Sequence, residues 1–424
     1  MLISFILFII LLCTGLPIYA NLGLVSFIFM FMEGFTPLAI FQRISMTANS
    51  FTLLAAPFSI LMGNIMNSAG VTSRMFNFAN VLVGHRIGGL GHANILASVL
   101  FAGGSGTAVA DAGGLGTIEI KAMRDAGYDD DFTVAVSATS SVLVPITPPS
   151  LPMVILAVSV EASVGRMFLG GIIPGLLIAI ALMIMVSIYA HKRNYPRGPK
   201  SSIRQVWLSF RETFWALLTP VILFVGIFSG VFTPTEAAAG AAFYALILGL
   251  FIYRELKIKD LGKVFLSTCE TTGVVLALVM TANAFGYILS VSRVPQAITQ
   301  TLLTLADNKY LLLIIINLFL LFVGLFMDAV ASILILGPIL IPIMVSIGLN
   351  QTHACLIMIV NLMIGVVTPP VGIVLFVIAN IAKLPFERVT RAVTPFLIPL
   401  LIVLLIVTFV PFVSTFLPNL VFGK

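Results

Sequence analysis

Two tripeptides hold the residues best suited to binding chemistry. Thr147-Pro148-Pro149 and Thr368-Pro369-Pro370 each lie deep inside a long apolar segment. Proline removes a backbone donor and clashes with the preceding turn, so two in succession unwind a helix. In hydrocarbon, unwound backbone persists only where protein buries it or where it lines a cavity. Its carbonyls, with a threonine hydroxyl beside them, suit a hard cation such as sodium. The N-terminus of the following half-helix presents N–H groups that suit a carboxylate. Upstream of each break lies a partner segment: 98–116, with Gly103, Gly104, Gly106 and Asp111, and 320–342, with Gly324, Asp328 and Pro338. The three glycines of the first would allow a sharp turn midway through the bilayer. Both segments read as re-entrant helical hairpins, about 92–120 and 311–347. They enter from opposite faces and bring their tips to the broken helices 132–157 and 354–381. For the intramembrane acids Asp111 and Asp328, helix capping and direct cation binding both stay open.

The remaining polar positions read more plainly. Asn64, Asn67, Asn283 and Asn361 suit hydrogen bonds between helices, and Glu236, after Thr-Pro-Thr, suits a helix start. None of His85, His92, His191 and His353 has an obvious acid partner, which argues against a proton relay. Cys13, Cys269 and Cys355 lie far apart in apolar segments and read as packing residues. No Ser/His, paired-Asp or metal-ligand set points to an intramembrane enzyme, and no G-x-x-x-x-G-K-S/T sequence offers an ATP site.

The elements that must position these residues are set by composition. Of 424 residues, 60% are hydrophobic and 9% charged, against roughly 25% charged in soluble domains. Apolar runs recur along the whole chain at 1–20, 168–190, 214–232, 237–253 and 394–416, each near the length that crosses a bilayer. The fold class is therefore all-α and polytopic in a membrane. The net charge of +6 does not imply nucleic acid, because the basic residues sit in short loops as orientation signals do. The first of them is Arg43, so the opening apolar run lacks the basic flank of a cleaved signal peptide.

Two loops are densely basic, 191–211 and 254–263, and a predicted helical hairpin connects them. Both then face one side, which the positive-inside rule makes cytoplasmic. Counting crossings outward puts the basic loop 382–393 on the same side. All but Arg43, Arg166, Arg293, Lys309 and Lys424 of the 22 Lys and Arg are then inside, and both termini face the exterior. The two Thr-Pro-Pro motifs recur 221 residues apart, Asp111 and Asp328 217 apart, and the broken segments run in opposite directions. That is an inverted repeat. The chain divides into scaffold helices (1–72), a first repeat (73–190), basic loops with a scaffold hairpin (191–263), a second, inverted repeat (264–393) and a C-terminal scaffold helix (394–424).

Long motifs also resemble a known family. GGLGHANILASVLFAGGSGTAVADAGGLGTIEIKAMRDAGYD (88–129), GVFTPTEAAAGAAFYAL (230–246), LVMTANAFGYIL (278–289), GLFMDAVASILILGPILIPI (324–343) and NLMIGVVTPPVGIVLFVIA (361–379) are similar to the large membrane subunit of tripartite ATP-independent periplasmic transporters. The resemblance implies an elevator-type transporter of the bacterial inner membrane, driven by a sodium gradient without ATP or a prosthetic group. It implies two partners, a small four-helix membrane subunit and a soluble periplasmic binding protein. The implied cargo is an organic acid such as sialic acid, a C4-dicarboxylate or another sugar acid. One sodium site would comprise Gly103, Ser105, Val144, Thr147 and Pro148, and a second Gly324, Gly365 and Thr368. The substrate would lie near Ser105, Pro149, Ser150, Thr368 and Pro370, with Asp111 and Asp328 in support. The alternatives are a stand-alone sodium/dicarboxylate symporter of the same architecture and a passive channel.

Overall fold

The computed structural model describes residues 14–32, 36–293 and 308–423, with a few isolated positions besides. Among the described residues the regular structure is helical. Eight helices among the described residues are long and apolar enough to cross a membrane, or nine spans if one bent pair is counted as a single crossing. The expected crossing 1–20 is interrupted: Thr14 and Gly15 form a turn, Gly15 has φ +79°, and α1 (Ile18–Met32) starts beyond it. After α2 (Pro37–Ala48) come α3 (Ala55–Ser68) and α4 (Val71–Val83).

The first repeat begins with a helical hairpin, α5 (Gly89–Ser105) and α6 (Ala108–Asp125). Next come α7 (Asp130–Ser140) and the short α8 (Leu143–Ile146). After the first Thr-Pro-Pro come α9 (Leu151–Ser159), bent 44° from the segment before it, and α10 (Val164–Lys192). The scaffold hairpin is α11 (Ile203–Phe228) and α12 (Pro234–Ile247). It turns where Thr233 and Glu236 form a reciprocal capping box, as expected of a helix start. The long α13 (Ile258–Val291) follows. Helix α3 packs along α12 and α1 along α13, so α13, expected to open the second repeat, packs with the scaffold helices instead.

The second repeat copies the first, with one helix, α16, in place of α7 and α8. It comprises α14 (Lys309–Phe326), α15 (Ala329–Ser346), α16 (Gln351–Gly365), α17 (Ile373–Ala382) and α18 (Phe386–Phe409). Ala108 and Ala329, and Asp130 and Gln351, open equivalent helices 221 residues apart. The apolar run 394–416 is not one helix. It belongs to α18, which starts at Phe386 and stops at Val410-Pro411, before α19 (Phe412–Phe422).

Contacts between loops show that the copies are inverted. On one face Asp129 pairs with Arg193 and accepts from Tyr195; Arg124 pairs with Asp130 at 2.7 Å and donates to the Ala382 carbonyl at 2.7 Å; and Arg388 pairs with Asp131 at 2.6 Å. That face therefore holds 124–131, 193–195 and 382–388. On the other, Gln351 donates to the Val160 carbonyl at 2.9 Å, and Arg166 donates to the Phe422 and Gly423 carbonyls. The chain crosses from the first face to the second between 131 and 160, and back between 351 and 382. The expected loops 191–211 and 382–393 thus share a face, together with 124–131, and Arg166 lies with the C-terminal residues on the opposite face.

The acidic run Asp129–Asp131 thus ties α6, α10, α17 and α18 together at one end. Burial alone would raise the Asp129 carboxyl, but hydrogen bonds from Tyr195, Arg193 and the Phe132 amide outweigh it and hold the group below the usual carboxylate range. A depressed carboxyl contributes stability above its unfolded-state pKa, about 3.9, and loses it as pH falls through the folded value. Thermal melting of the wild type should therefore fall more steeply below about pH 4 than that of Asp129→Asn, which should already melt lower at neutral pH. Parallel pH profiles would refute this role.

Candidate functional site

Each hairpin brings its tip to the broken helix of its own repeat. In the first, α5 runs helically through Ser105, and the chain reverses at Gly106 (φ +65°) and Thr107. The turn therefore falls on the last of the three glycines. A Cβ at Gly106 would lie 3.2 Å from the Leu151 amide nitrogen, so the tip sits against the start of α9, just past the break. The backbone of 103–105 closes α5; the side-chain surroundings of Gly103 and Ser105 lie outside the described residues. In the second repeat a Cβ at Gly365 would lie 2.7 Å from Gly324 Cα, so the two backbones touch directly.

The turns show how the repeats correspond. Thr107 caps α6 by accepting from the Ala110 amide at 3.3 Å. Asp328 caps α15 by accepting from the Val330 and Ala331 amides at 2.9 and 3.4 Å. These two caps are 221 residues apart, like the Thr-Pro-Pro motifs. The counterpart of Asp328 is therefore Thr107; the pairing of Asp328 with Asp111 is wrong by one helical turn. Capping is the structural role of Asp328. Asp111 is no cap. It is 1% exposed and accepts from Ser98 Oγ at 3.1 Å.

The two breaks differ in chemistry. Both contain a cis Pro-Pro peptide bond. Thr147 Oγ1 is buried without a hydrogen-bond partner, and a Cβ at Gly175 of α10 would come within 2.6 Å of it. Gly171, one turn earlier, admits the Ile146 carbonyl just as closely. Small residues at this spacing let a helix approach unwound backbone. Ser150 Oγ donates to the Pro145 carbonyl and accepts from the Met153 amide, so its hydrogen-bonding capacity is used within the break. Thr368 Oγ1, by contrast, donates to the Ile364 carbonyl at 2.7 Å. Pro148 and Pro149 are buried, whereas Pro370 is exposed. The second break opens outward and the first is enclosed. An enclosed, unpartnered hydroxyl beside Val144, Thr147 and Pro148 fits a cation ligand set, since a cation supplies what the oxygen lacks.

Three of the asparagines behave as expected: Asn67 of α3 accepts from Thr72 of α4 at 2.9 Å. Asn64 donates to Thr268 at 3.0 Å and Asn361 to Asn317 at 2.8 Å. Asn283 lines a cavity of about 750 Å³ on the face that holds Gln351 and Val160, between α9, α13 and α15. His92 meets Ser187 and His353 meets the Val407 carbonyl, so neither is set against an acid. A polar group that sequence reading missed lies inside the first hairpin. Glu119 accepts from Asn94 at 2.7 Å, and Asn94 also donates to Ser137 at 2.8 Å. Its signal was periodicity: Asp111 and Glu119 are eight apart on α6, and Asn94 and Ser98 four apart on α5, spacings that share a helix face.

Comparison with known proteins agrees with this architecture. Residues 5–413 match the DctM component of the tripartite ATP-independent periplasmic transporters. The chain belongs to that family. The chain is 45% identical over 414 residues to the sialic acid TRAP transporter large permease protein SiaM of Vibrio cholerae, covering 97% of each. It is 37% identical to the C4-dicarboxylate TRAP transporter large permease protein DctM of Rhodobacter capsulatus, covering 99% of each. The crystal structure of the Alcanivorax borkumensis YdaH transporter superposes with a TM-score of 0.64 at 14% identity, over 87% of this chain and 86% of that one, and so shares the fold. Membership in the DctM family makes the chain a multi-pass transporter permease and not an enzyme.

The contact between Gly324 and Gly365 leaves no room for a methyl group. Gly365→Ala should lower the melting temperature by an overpacking cost of about 1–3 kcal/mol. Gly240→Ala, where a Cβ meets nothing within 4 Å, should leave it unchanged or slightly raised. Equal melting of the two variants would show that the junction is loose.

Proposed function

We propose that this permease imports an organic acid across the bacterial inner membrane, driven by a sodium gradient. A periplasmic binding protein delivers the substrate, and a small four-helix membrane subunit completes the complex. One observation carries the reading: two oppositely directed hairpins each close on a mid-segment break of the same repeat. Inverted repeats with paired broken helices place ion and substrate sites at the repeat interface.

In this reading the first sodium lies between the α5–α6 tip (Gly103, Ser105) and Val144, Thr147 and Pro148. The second lies between Gly324 and Gly365 with Thr368. Relatives named for sialic acid and for C4-dicarboxylates transport different molecules that share a carboxylate. We assign the carboxylate to the half-helix N-termini between the tips, near Ser105, Pro149, Thr368 and Pro370, with the more open second break as its approach. Ser150 orders that backbone and does not itself contact the substrate. The hairpins are re-entrant, and the two repeats move as an elevator within the scaffold of α1, α3, α11, α12 and α13. Asp129–Asp131 and their arginines mark the cytoplasmic face, which leaves the C-terminus periplasmic, and the N-terminus with it.

In proteoliposomes containing all three components, uptake should stop when external sodium is replaced by potassium. Uptake that persists in potassium would refute sodium coupling, and sodium-driven uptake without the binding protein would favour a stand-alone symporter. Thr147→Ala should raise the sodium concentration for half-maximal uptake, at a cost of about 1–2 kcal/mol. Thr368→Ala, whose hydroxyl already has a carbonyl partner, should raise it less. An unchanged sodium requirement in both would sink the assignment.

A further inference from the structure

Glu119 lies in the interior of α6 and is 1% exposed. Its Oε2 accepts from Asn94 Nδ2 at 2.7 Å. Its Oε1, Asn94 Oδ1 and Asp111 Oδ1 are buried acceptors with no hydrogen-bond partner, and the Thr133 hydroxyl, one turn from Ser137 on α7, makes no hydrogen bond and so does not serve them as a donor. The cluster thus has several idle acceptors and too few donors. An unpaired ionised carboxylate in such surroundings is very costly.

No basic side chain on the packed elements balances it. On α6 itself, Arg124 is committed to Asp130 and the Ala382 carbonyl, and Lys121 and Asp125 are exposed near the helix end. His92 on α5 meets Ser187 of α10, and Arg74 on α4 pairs with Glu255. Asp130 and Asp131 on α7 are held by Arg124 and Arg388. Neither α8 nor α17 has a titratable residue. The two buried acids are also unequal. Asp111 is in the first turn of α6, where unpaired N–H groups and the helix dipole favour negative charge. Glu119, two turns further on, has no such support.

We propose that Glu119 is a proton-binding site whose carboxyl is kept as the neutral acid. The proton on Oε1 supplies the donor that the idle oxygens of the cluster lack, while Oε2 continues to accept from Asn94. A proton needs no cavity, so the cluster accommodates it without rearrangement. The site is separate from both breaks and stands whether or not the sodium reading holds. In a hairpin that moves through the membrane, it removes the charge that would oppose the movement.

Infrared difference spectroscopy of the purified full-length protein at neutral pH tests this directly, without any transport assay. Wild type minus Glu119→Gln should show the C=O band of a carboxylic acid, shifted in D₂O. Asp111→Asn should keep that band. Glu119→Gln, which imitates the neutral acid, should melt no lower than the wild type. Loss of carboxylate bands alone in Glu119→Gln would overturn the proposal. So would a Glu119 carboxylate band that shifts when sodium replaces potassium, since Glu119 would then be a charged sodium ligand. If Glu119→Gln does not fold, isotope-labelled glutamate in the wild type decides: an acid band that moves with the label supports the proposal, and none that moves refutes it.

Discussion

A backbone amide or carbonyl left unpaired in a layer without water costs several kcal/mol, and this chain interrupts a helix there twice. Much of the architecture answers that cost. Each Thr-Pro-Pro break is covered by the tip of a helical hairpin, at Gly106 against Leu151 and at Gly324 against Gly365. Each hairpin turn is itself capped, by Thr107 in one copy and Asp328 in the other. Glycine recurs at these contacts because a Cβ there would collide with backbone, which cannot step aside as a flexible side chain can.

The same elements run in opposite directions in the two repeats, yet the copies have diverged where chemistry matters. The first break is enclosed, braced by Gly171 and Gly175, and retains a threonine oxygen with no partner. The second is more open and its threonine is satisfied by backbone. In the proposed reading, two ion sites built on one pattern would differ in ligand supply and in access.

Charge is distributed with equal economy. At one face three consecutive aspartates each find a different arginine, drawing loops of both repeats together. Inside the first hairpin no arginine or lysine accompanies Glu119. A carboxyl in loop water can rely on a cation, whereas one packed between three helices can be neutralised more compactly by a proton.

Much of this was legible in the amino-acid sequence. Composition established the membrane, the basic loops established which segments share a face, and the duplicated Thr-Pro-Pro with its reversed direction established the inverted repeat. These signals are local or periodic, so no three-dimensional information is needed to read them. The helix boundary at Val410 was missed, because an apolar run does not say which residue takes the turn. Tertiary structure alone decided that Thr107 and not Asp111 is the counterpart of Asp328, that Ser150 is spent inside its own break, that Thr147 lacks a partner while Thr368 has one, and that Glu119 is buried against Asn94. Each of these depends on which atoms meet across segments distant in the chain, and hydrogen-bond satisfaction is a property of the assembled neighbourhood, not of the residue.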